Sequence, residues 1–503
     1  MAPTSPSTTT PLVTRQPRSA LSRIPQEILG LVIEHGVFHS SDHPVETLRQ
    51  VASVCKMWRA AAWANPRVWS RIVFARPLGA SSSKIGADSL QVLEQFFVRS
   101  RACPKTVFLH GVVTPTELAI LRNLVNTFAS TIVSLSLGLV DDQNILLDDA
   151  IISHVITLPV LQSLELSTTD LPRRNELVLP SMPHLKFLKM PGTLLDSAQL
   201  LSRLQNVESL HFRDAWGFQF LHLSPAFDMN ALPKLLHLHA RCSGDTCPWT
   251  PPGDSVRCHS GLQSLAIRFS GSSVCALAFL RAPNLYSLAV TTEIFFHMTW
   301  GLQSNKPRTC AAFDAFFQAP APPLRELRLD RVNLDDTAML RILHLLPKLE
   351  VLALSHARLT KCFVQALSGP QLVDDGDLIW LCPRLTRLSY LSTAGIRVDP
   401  RAKACFPKEP VGTIDRAFFE VLARARLDAT QLLEGPANLK TSVYERQLEP
   451  FQDLRVEMCR LLRIPEDGPC QWSEALVDFY IPVEALPEAQ SHPTDDAWWA
   501  FPR

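Results

Sequence analysis

The residues of this chain best suited to chemistry are six between positions 237 and 259: His237, His239, Cys242, Cys247, Cys258 and His259. Imidazoles and thiolates are zinc ligands, and alternate residues of a strand share a face, so His237 and His239 would point the same way. Zinc takes four such ligands at about 2.0–2.3 Å. The spacing matches no common finger, and Pro248, Pro251 and Pro252 mark a loop inside it, so no metal is expected. Signatures of nucleophilic, phosphate-binding and dinucleotide-binding enzymes are missing as well: there is no G-x-S-x-G, no P-loop, no G-x-G-x-x-G and no H-E-x-x-H. Asp374-Asp375-Gly376-Asp377 is an acidic turn without the ligand ladder and closing Glu of a calcium loop. No catalytic residue and no cofactor is expected, and the chain reads as a binding protein rather than an enzyme.

Composition narrows what it could bind. The chain has 503 residues, with 49 Lys and Arg against 48 Asp and Glu, a formal net charge of +1. No global basic field exists for a phosphate backbone, so nucleic acid is not an expected partner. No apolar run approaches the 18 or so residues that span a bilayer, so no membrane segment is expected either. Twelve cysteines without a C-x-x-C argue for reduced thiols and a place in the cytoplasm, the nucleus or both. Residues 1–20 lack the apolar core of a secretory signal. Arg15 and Arg18 loosely resemble a transit peptide, but four prolines spoil its helix, and a disordered polar tail is expected there. The 75 leucines call for a search for repeats.

The first ordered module spans 21–74. Leu21, Ile24, Ile28, Leu29, Val32 and Ile33 recur at helical spacing, with Pro25 at the helix start; a second helix carries Leu48, Val51, Val54, Cys55 and Trp58, and a third segment Trp63, Val68, Trp69 and Ile72. Three helices in about 50 residues make a marginal core, and such a module keeps an apolar face for another protein to cover. Ile24-Pro25-Gln26-Glu27-Ile28-Leu29, Val54-Cys55-Lys56-Met57-Trp58-Arg59 and Asn65-Pro66-Arg67-Val68-Trp69 occur in that order. In these strings the module resembles an F-box, with Ile24 in place of the more usual Leu and a longer first connection. The resemblance implies docking on a Skp-type adaptor, and through it a cullin, with Ile24, Pro25, Ile28, Leu29, Val54, Cys55 and Trp58 as contacts. Packing within the module is the alternative reading for Trp58, Trp69 and Cys55.

Residues 75–105 read as a linker and a helix, Leu90 to Arg99, leading into the apolar run Val107-Phe108-Leu109. A phrase of the form apolar-x-x-Leu-x-apolar then recurs ten times, starting at Ile132, Leu161, Leu185, Val207, Leu235, Leu262, Leu285, Leu324, Leu349 and Leu385. Seven of the nine steps fall between 22 and 29 residues, which resembles an irregular leucine-rich repeat; the two longer ones, over 291–323 and 355–383, predict inserted loops. Such repeats stack short parallel strands on the concave side of an arc, so ten strands at about 4.8 Å make a platform roughly 45 Å long. The outward positions then include Lys189, His211, Arg213, His237, His239, Arg241 and Arg268. Together they form a local basic ridge, and Arg forks suit carboxylate and phosphate, so its expected partner is an acidic or phosphorylated protein.

After Leu391 the phrase stops. Ile414, Phe418, Phe419 and Leu422, then Leu448, Phe451, Leu454, Met458, Leu461 and Leu462, fit helical spacing, so 397–486 is expected to cap the solenoid with helices and 487–503 to be a flexible tail. The fold class expected is therefore α/β: a three-helix module, a repeat solenoid over 106–396 and a helical cap. The two resemblances together imply the substrate-recognition subunit of an SCF-type ubiquitin ligase. The alternative is a repeat scaffold that binds the Skp-type protein without forming an active ligase.

Overall fold

The computed structural model describes residues 24–39, 44–75, 86–140, 151–152, 155, 157–166, 179–191, 203–216, 232–243, 257–270, 277–278, 280–293, 306–317, 321–332, 334–357, 359–372, 378–392, 422, 425, 453–462 and 473–480. The tails expected over 1–20 and 487–503, the Asp374–Asp377 turn, Cys247 and most of the helical pattern around 414–422 lie outside them. The chain divides into two compact units, residues 1–167 with 178–184, and residues 168–177 with 185–503. Both are mixed α/β with parallel strands, four in the first and eight in the second, before a C-terminal hairpin. Among the described residues no helix is long and apolar enough to cross a membrane.

The first unit opens on α1 (Gln26–His39), α2 (Pro44–Val54) and α3 (Lys56–Ala64), then a 3₁₀ turn, Pro66–Trp69. Pro25 sits one residue before α1 and accepts the Leu29 N–H at 3.1 Å, as suits a residue whose ring fixes φ and donates nothing. The helix expected to carry Leu48 through Trp58 is instead two. Cys55 is extended (φ −162°, ψ 174°), so it ends α2 and N-caps α3. Of the residues expected on that helix's apolar face, Leu48 is buried, Val51 and Trp58 are half-buried, and Val54 and Cys55 are exposed. Leu29, Ile33, Val37, Leu48, Ala61, Ala62, Val68 and Trp69 form the core of the module.

Behind it follow β1 (Arg71–Ala75), α4 (Gly86–Arg99), β2 (Lys105–Val112), α5 (Pro115–Thr127), β3 (Ile132–Val140) and β4 (Ser163–Leu166). The start of α5 is fixed by a capping box: Thr114 N–H donates to Glu117 Oε2 at 2.8 Å and Glu117 N–H to Thr114 Oγ1 at 3.3 Å. The four strands are parallel and stack buried side chains in two rows, Ile72–Val107–Leu135–Leu164 and Phe74–Leu109–Leu137–Leu166. Stacking therefore begins at β1, two strands before the first repeat phrase, and Ile72 belongs to a strand rather than to a third helical segment. Lys105 is fully buried where β2 begins; its Nζ donates to the carbonyls of Arg101 and Cys103, which lie just past the end of α4.

The second unit repeats one theme. Strands β5 (Phe187–Pro191), β6 (Ser209–Trp216), β7 (His237–Ser243), β9 (Ser264–Ser270), β11 (Ser287–Glu293), β12 (Glu326–Asp330), β13 (Val351–Ala357) and β16 (Arg387–Ser392) pair in parallel. One buried row is leucine throughout: Leu188, Leu210, Leu238, Leu265, Leu288, Leu327, Leu352 and Leu388. Full burial of each Leu contributes about 1.5–3 kcal/mol before the entropy of ordering the chain is set against it. A tight turn recurs ahead of the strands, the N–H of each phrase's first residue meeting the carbonyl three back: Val207 to Leu204, Leu235 to Leu232, Leu285 to Ala282, Leu349 to Leu346 and Leu385 to Cys382. Short pairs β8 (Arg257–Cys258) with β10 (Leu280–Arg281), and β14 (Pro370–Leu372) with β15 (Leu378–Trp380), lie between the main strands.

The two long steps hold secondary structure instead of plain loops. The first contains α6 (Lys306–Phe317); α7 (Asp336–His344) follows β12, and the second long step contains α8 (Lys361–Leu367) and the β14–β15 hairpin. Phe313, Phe316 and Phe317 of α6 and Phe363 of α8 are fully buried. Within the region expected to cap the solenoid with helices, two segments are strands instead: β17 (Asp453–Leu462) pairs parallel with β16, and β18 (Ser473–Tyr480) turns back antiparallel on it; the rest of 397–486, Leu422 and Ala425 apart, lies outside the described residues. Leu454 and Met458 stand four apart, a spacing that fits a helix and a strand alike. Arg455 and Glu457 between the apolar residues make the period two, and β16 offers a strand edge to pair with.

Candidate interaction surfaces

The outer face of α1 is apolar and open. Ile28, Leu31 and Val32 are 50 %, 56 % and 52 % exposed, and their spacing of three and four places them on one side of the helix. Pro25 is exposed ahead of them and Ile24 half-buried. Leu29 is only 1 % exposed, so it is a core residue and not a contact on the outer face. The helix is apolar nearly all round, and helical spacing alone did not tell its inner from its outer side; Leu31 was missed for that reason, being one turn from Ile28. Val54, 58 % exposed, and Cys55, also exposed, flank the α2–α3 break. Trp58 is half-buried, and its Nε1 is buried without an acceptor.

The module's geometry is held by Asn65. Its Oδ1 accepts the Arg67 N–H at 3.0 Å and caps the 3₁₀ turn, while Nδ2 donates to Gly30 O at 3.1 Å and Glu34 Oε2 at 3.3 Å, both on α1. A Cβ at Gly30 would stand 3.4 Å from Nδ2, in van der Waals contact with this amide. One side chain thus fixes α1 against the turn that ends the module.

In the second unit the strand register gathers most of the basic residues named from sequence. Lys189, His211 and His239 are direct neighbours across β5, β6 and β7, and the rings of Phe187, His211 and His239 form a ladder with centroids 4.8 and 5.0 Å apart. Arg241 and Arg268 are neighbours across β7 and β9. His237 lies one row over, level with Ser209 and Ser264. Arg213 pairs with Pro191, but the β6–β7 register shifts between Phe212 and Ala215, so the strand irregularity falls at Arg213.

No protein-family model matches the chain, and no curated protein sequence matches it.

The basic ridge ends at β12. There Arg328 is paired internally by Glu326 at 2.5 Å, Glu326 also accepts from Ser287 Oγ at 2.8 Å, and Asp330 lies 3.9 Å from Arg331. The basic residues named from sequence thus lie on β5, β6, β7 and β9. Among the described residues no three His, Cys, Asp or Glu side chains converge on a metal-sized site. Cys258 is exposed while its neighbour His259 is buried, so the two do not face one ligand. Burial holds the His259 pKa below the ordinary histidine value, against a smaller opposing effect of the Leu232 carbonyl, and neither ring nitrogen completes a hydrogen bond.

Proposed function

We propose that the chain is the substrate-recognition subunit of a cullin–RING ubiquitin ligase, with residues 24–72 acting as an F-box and the strand array as an irregular leucine-rich-repeat platform. The exposed Ile28, Leu31 and Val32 stripe carries the reading, since three large apolar side chains on one exposed helix face are a docking surface in want of a partner. Pro25, Ile28, Val54 and Cys55 remain the adaptor contacts from the sequence reading, joined by Leu31 and Val32. Ile24 and Trp58, both half-buried, stay among the contacts of the sequence reading, and Leu29 supports α1 from within the core.

Substrate selection falls to the second unit. Lys189, His211, His239, Arg241 and Arg268 offer an acidic or phosphorylated segment of a target protein a line of hydrogen-bond donors, and ubiquitin transfer belongs to the partner subunits. Affinity purification from cells tests the reading. Recovery of a Skp-type adaptor together with a cullin supports it; the adaptor without cullin supports a scaffold instead, and neither protein would sink the F-box assignment.

A further inference from the structure

A groove of about 340 Å³ opens in the first unit among α2, α3, the 3₁₀ turn and α4. Its walls are mainly apolar, with Leu48, Val92, Phe96, Trp63 and Trp69, and its charged groups are three arginines, Arg49, Arg59 and Arg99. Among the described residues no carboxylate lines it. The Arg99 guanidinium lies 4.6 Å from the Trp69 ring centroid and 4.9 Å from that of Trp63, and it has no ion-pair partner among the described residues. Stacking engages the face of a guanidinium and leaves its in-plane N–H edge free to donate. Arg59 donates Nε–H to the Ala52 carbonyl at 3.1 Å, and no carboxylate among the described residues pairs with its terminal nitrogens. Arg49 has only an exposed contact to Glu46 at 3.9 Å. Trp63, 57 % exposed, adds a flat apolar wall at the mouth.

Ligand sites run from about 300 to 1,000 Å³, so this groove is sized for one large side chain rather than a helix. Three guanidiniums around an aromatic slot ask for an anionic head on a flat apolar body. A phosphoryl group carries about −1.5 to −2 charge at neutral pH and three acceptor oxygens, where a carboxylate carries −1 and two. We infer that the groove binds a phosphorylated tyrosine side chain of a partner protein, its ring against Trp63 and its phosphate between Arg59 and Arg99. The inference is independent of the F-box reading, because no adaptor contact named above lines the groove.

The test is fluorescence polarisation of the full chain with a labelled Gly-Ser-phosphotyrosine-Ser-Gly peptide, beside the same peptide carrying tyrosine or glutamate at the centre. Saturable binding is expected for the phosphopeptide and at least about tenfold weaker binding for the other two, the scale of losing charge-assisted hydrogen bonds. R59E and W63A, both at exposed positions, should each weaken phosphopeptide binding at least about tenfold with the melting temperature unchanged. Absence of saturable binding, equal binding of the glutamate peptide, or undiminished binding by folded R59E would overturn the inference.

Discussion

The side-chain amide of Asn65 donates to the backbone carbonyl of Gly30 at 3.1 Å, across 35 residues of sequence. This one contact, with the cap on Arg67 N–H, sets where α1 stands in the module and so where Ile28, Leu31 and Val32 are presented. Replacing Asn65 with Ala leaves the Gly30 carbonyl and the turn without their partner. The expected cost is about 1–3 kcal/mol of local stability. Hydrogen exchange over 26–69 should rise, while protection of β5 to β16 stays as in the parent chain.

Leu29 and Leu31 differ by two positions and by which way they face. L29A removes a fully buried side chain and is expected to destabilise the first unit by about 2–5 kcal/mol. L31A, at an exposed site, should stay within about 0.5 kcal/mol of the parent. Urea titration of both variants, followed by tryptophan fluorescence, checks the pair. Equal destabilisation would contradict the orientation of α1.

His259 gives the second unit a pH dependence of definite sign. Its folded pKa is lowered by burial, so below the usual histidine pKa of about 6.5 the unfolded chain takes up a proton that the native state refuses. Stability is unaffected by this group at pH 8 and falls as the pH drops from about 6.5 toward the folded value. Thermal melts between pH 8 and pH 5 should show a smaller loss for H259L than for the parent. An identical pH slope in the two would remove His259 from the account.

Arg241 and Arg268 occupy neighbouring register positions on β7 and β9. If the ridge selects an acidic or phosphorylated target, the double variant R241E/R268E should lose most of its target from cross-linked pull-downs, and target recovery by the parent should fall as salt rises from 50 to 500 mM. Recovery of adaptor should not change. Target capture indifferent to both charge reversal and salt would assign recognition to another surface.

Much of this architecture was legible because burial imposes a period. The recurring Leu phrase marks the strands from Leu188 to Leu388 by position, and Pro25 marks the start of α1. Three features escaped for physical reasons. Ile72 sits on a strand that lacks the full phrase, so the solenoid is expected from residue 106 while the parallel strands of the first unit begin at β1. Residues 453–462 satisfy helical and strand periods together, and pairing with β16 decided between them. The groove of Arg49, Arg59 and Arg99 draws on α2, α3 and α4, and no spacing along the chain announces that convergence. Lys189, His211 and His239 are register neighbours, as the spacing of the repeat phrase implies, while the register shift beside Arg213 is a backbone event without a sequence mark.

The central claim is that the exposed face of α1 docks a Skp-type adaptor. Its most direct measurement is the affinity of the full chain for purified adaptor by calorimetry, beside the I28D/V32D variant, whose two substitutions lie at half-exposed positions and leave the core intact. Tight binding by the parent and a loss of at least about a hundredfold in the variant, roughly 2.7 kcal/mol, is the result the account predicts. Equal affinity of parent and variant, with both folded by circular dichroism, would contradict it.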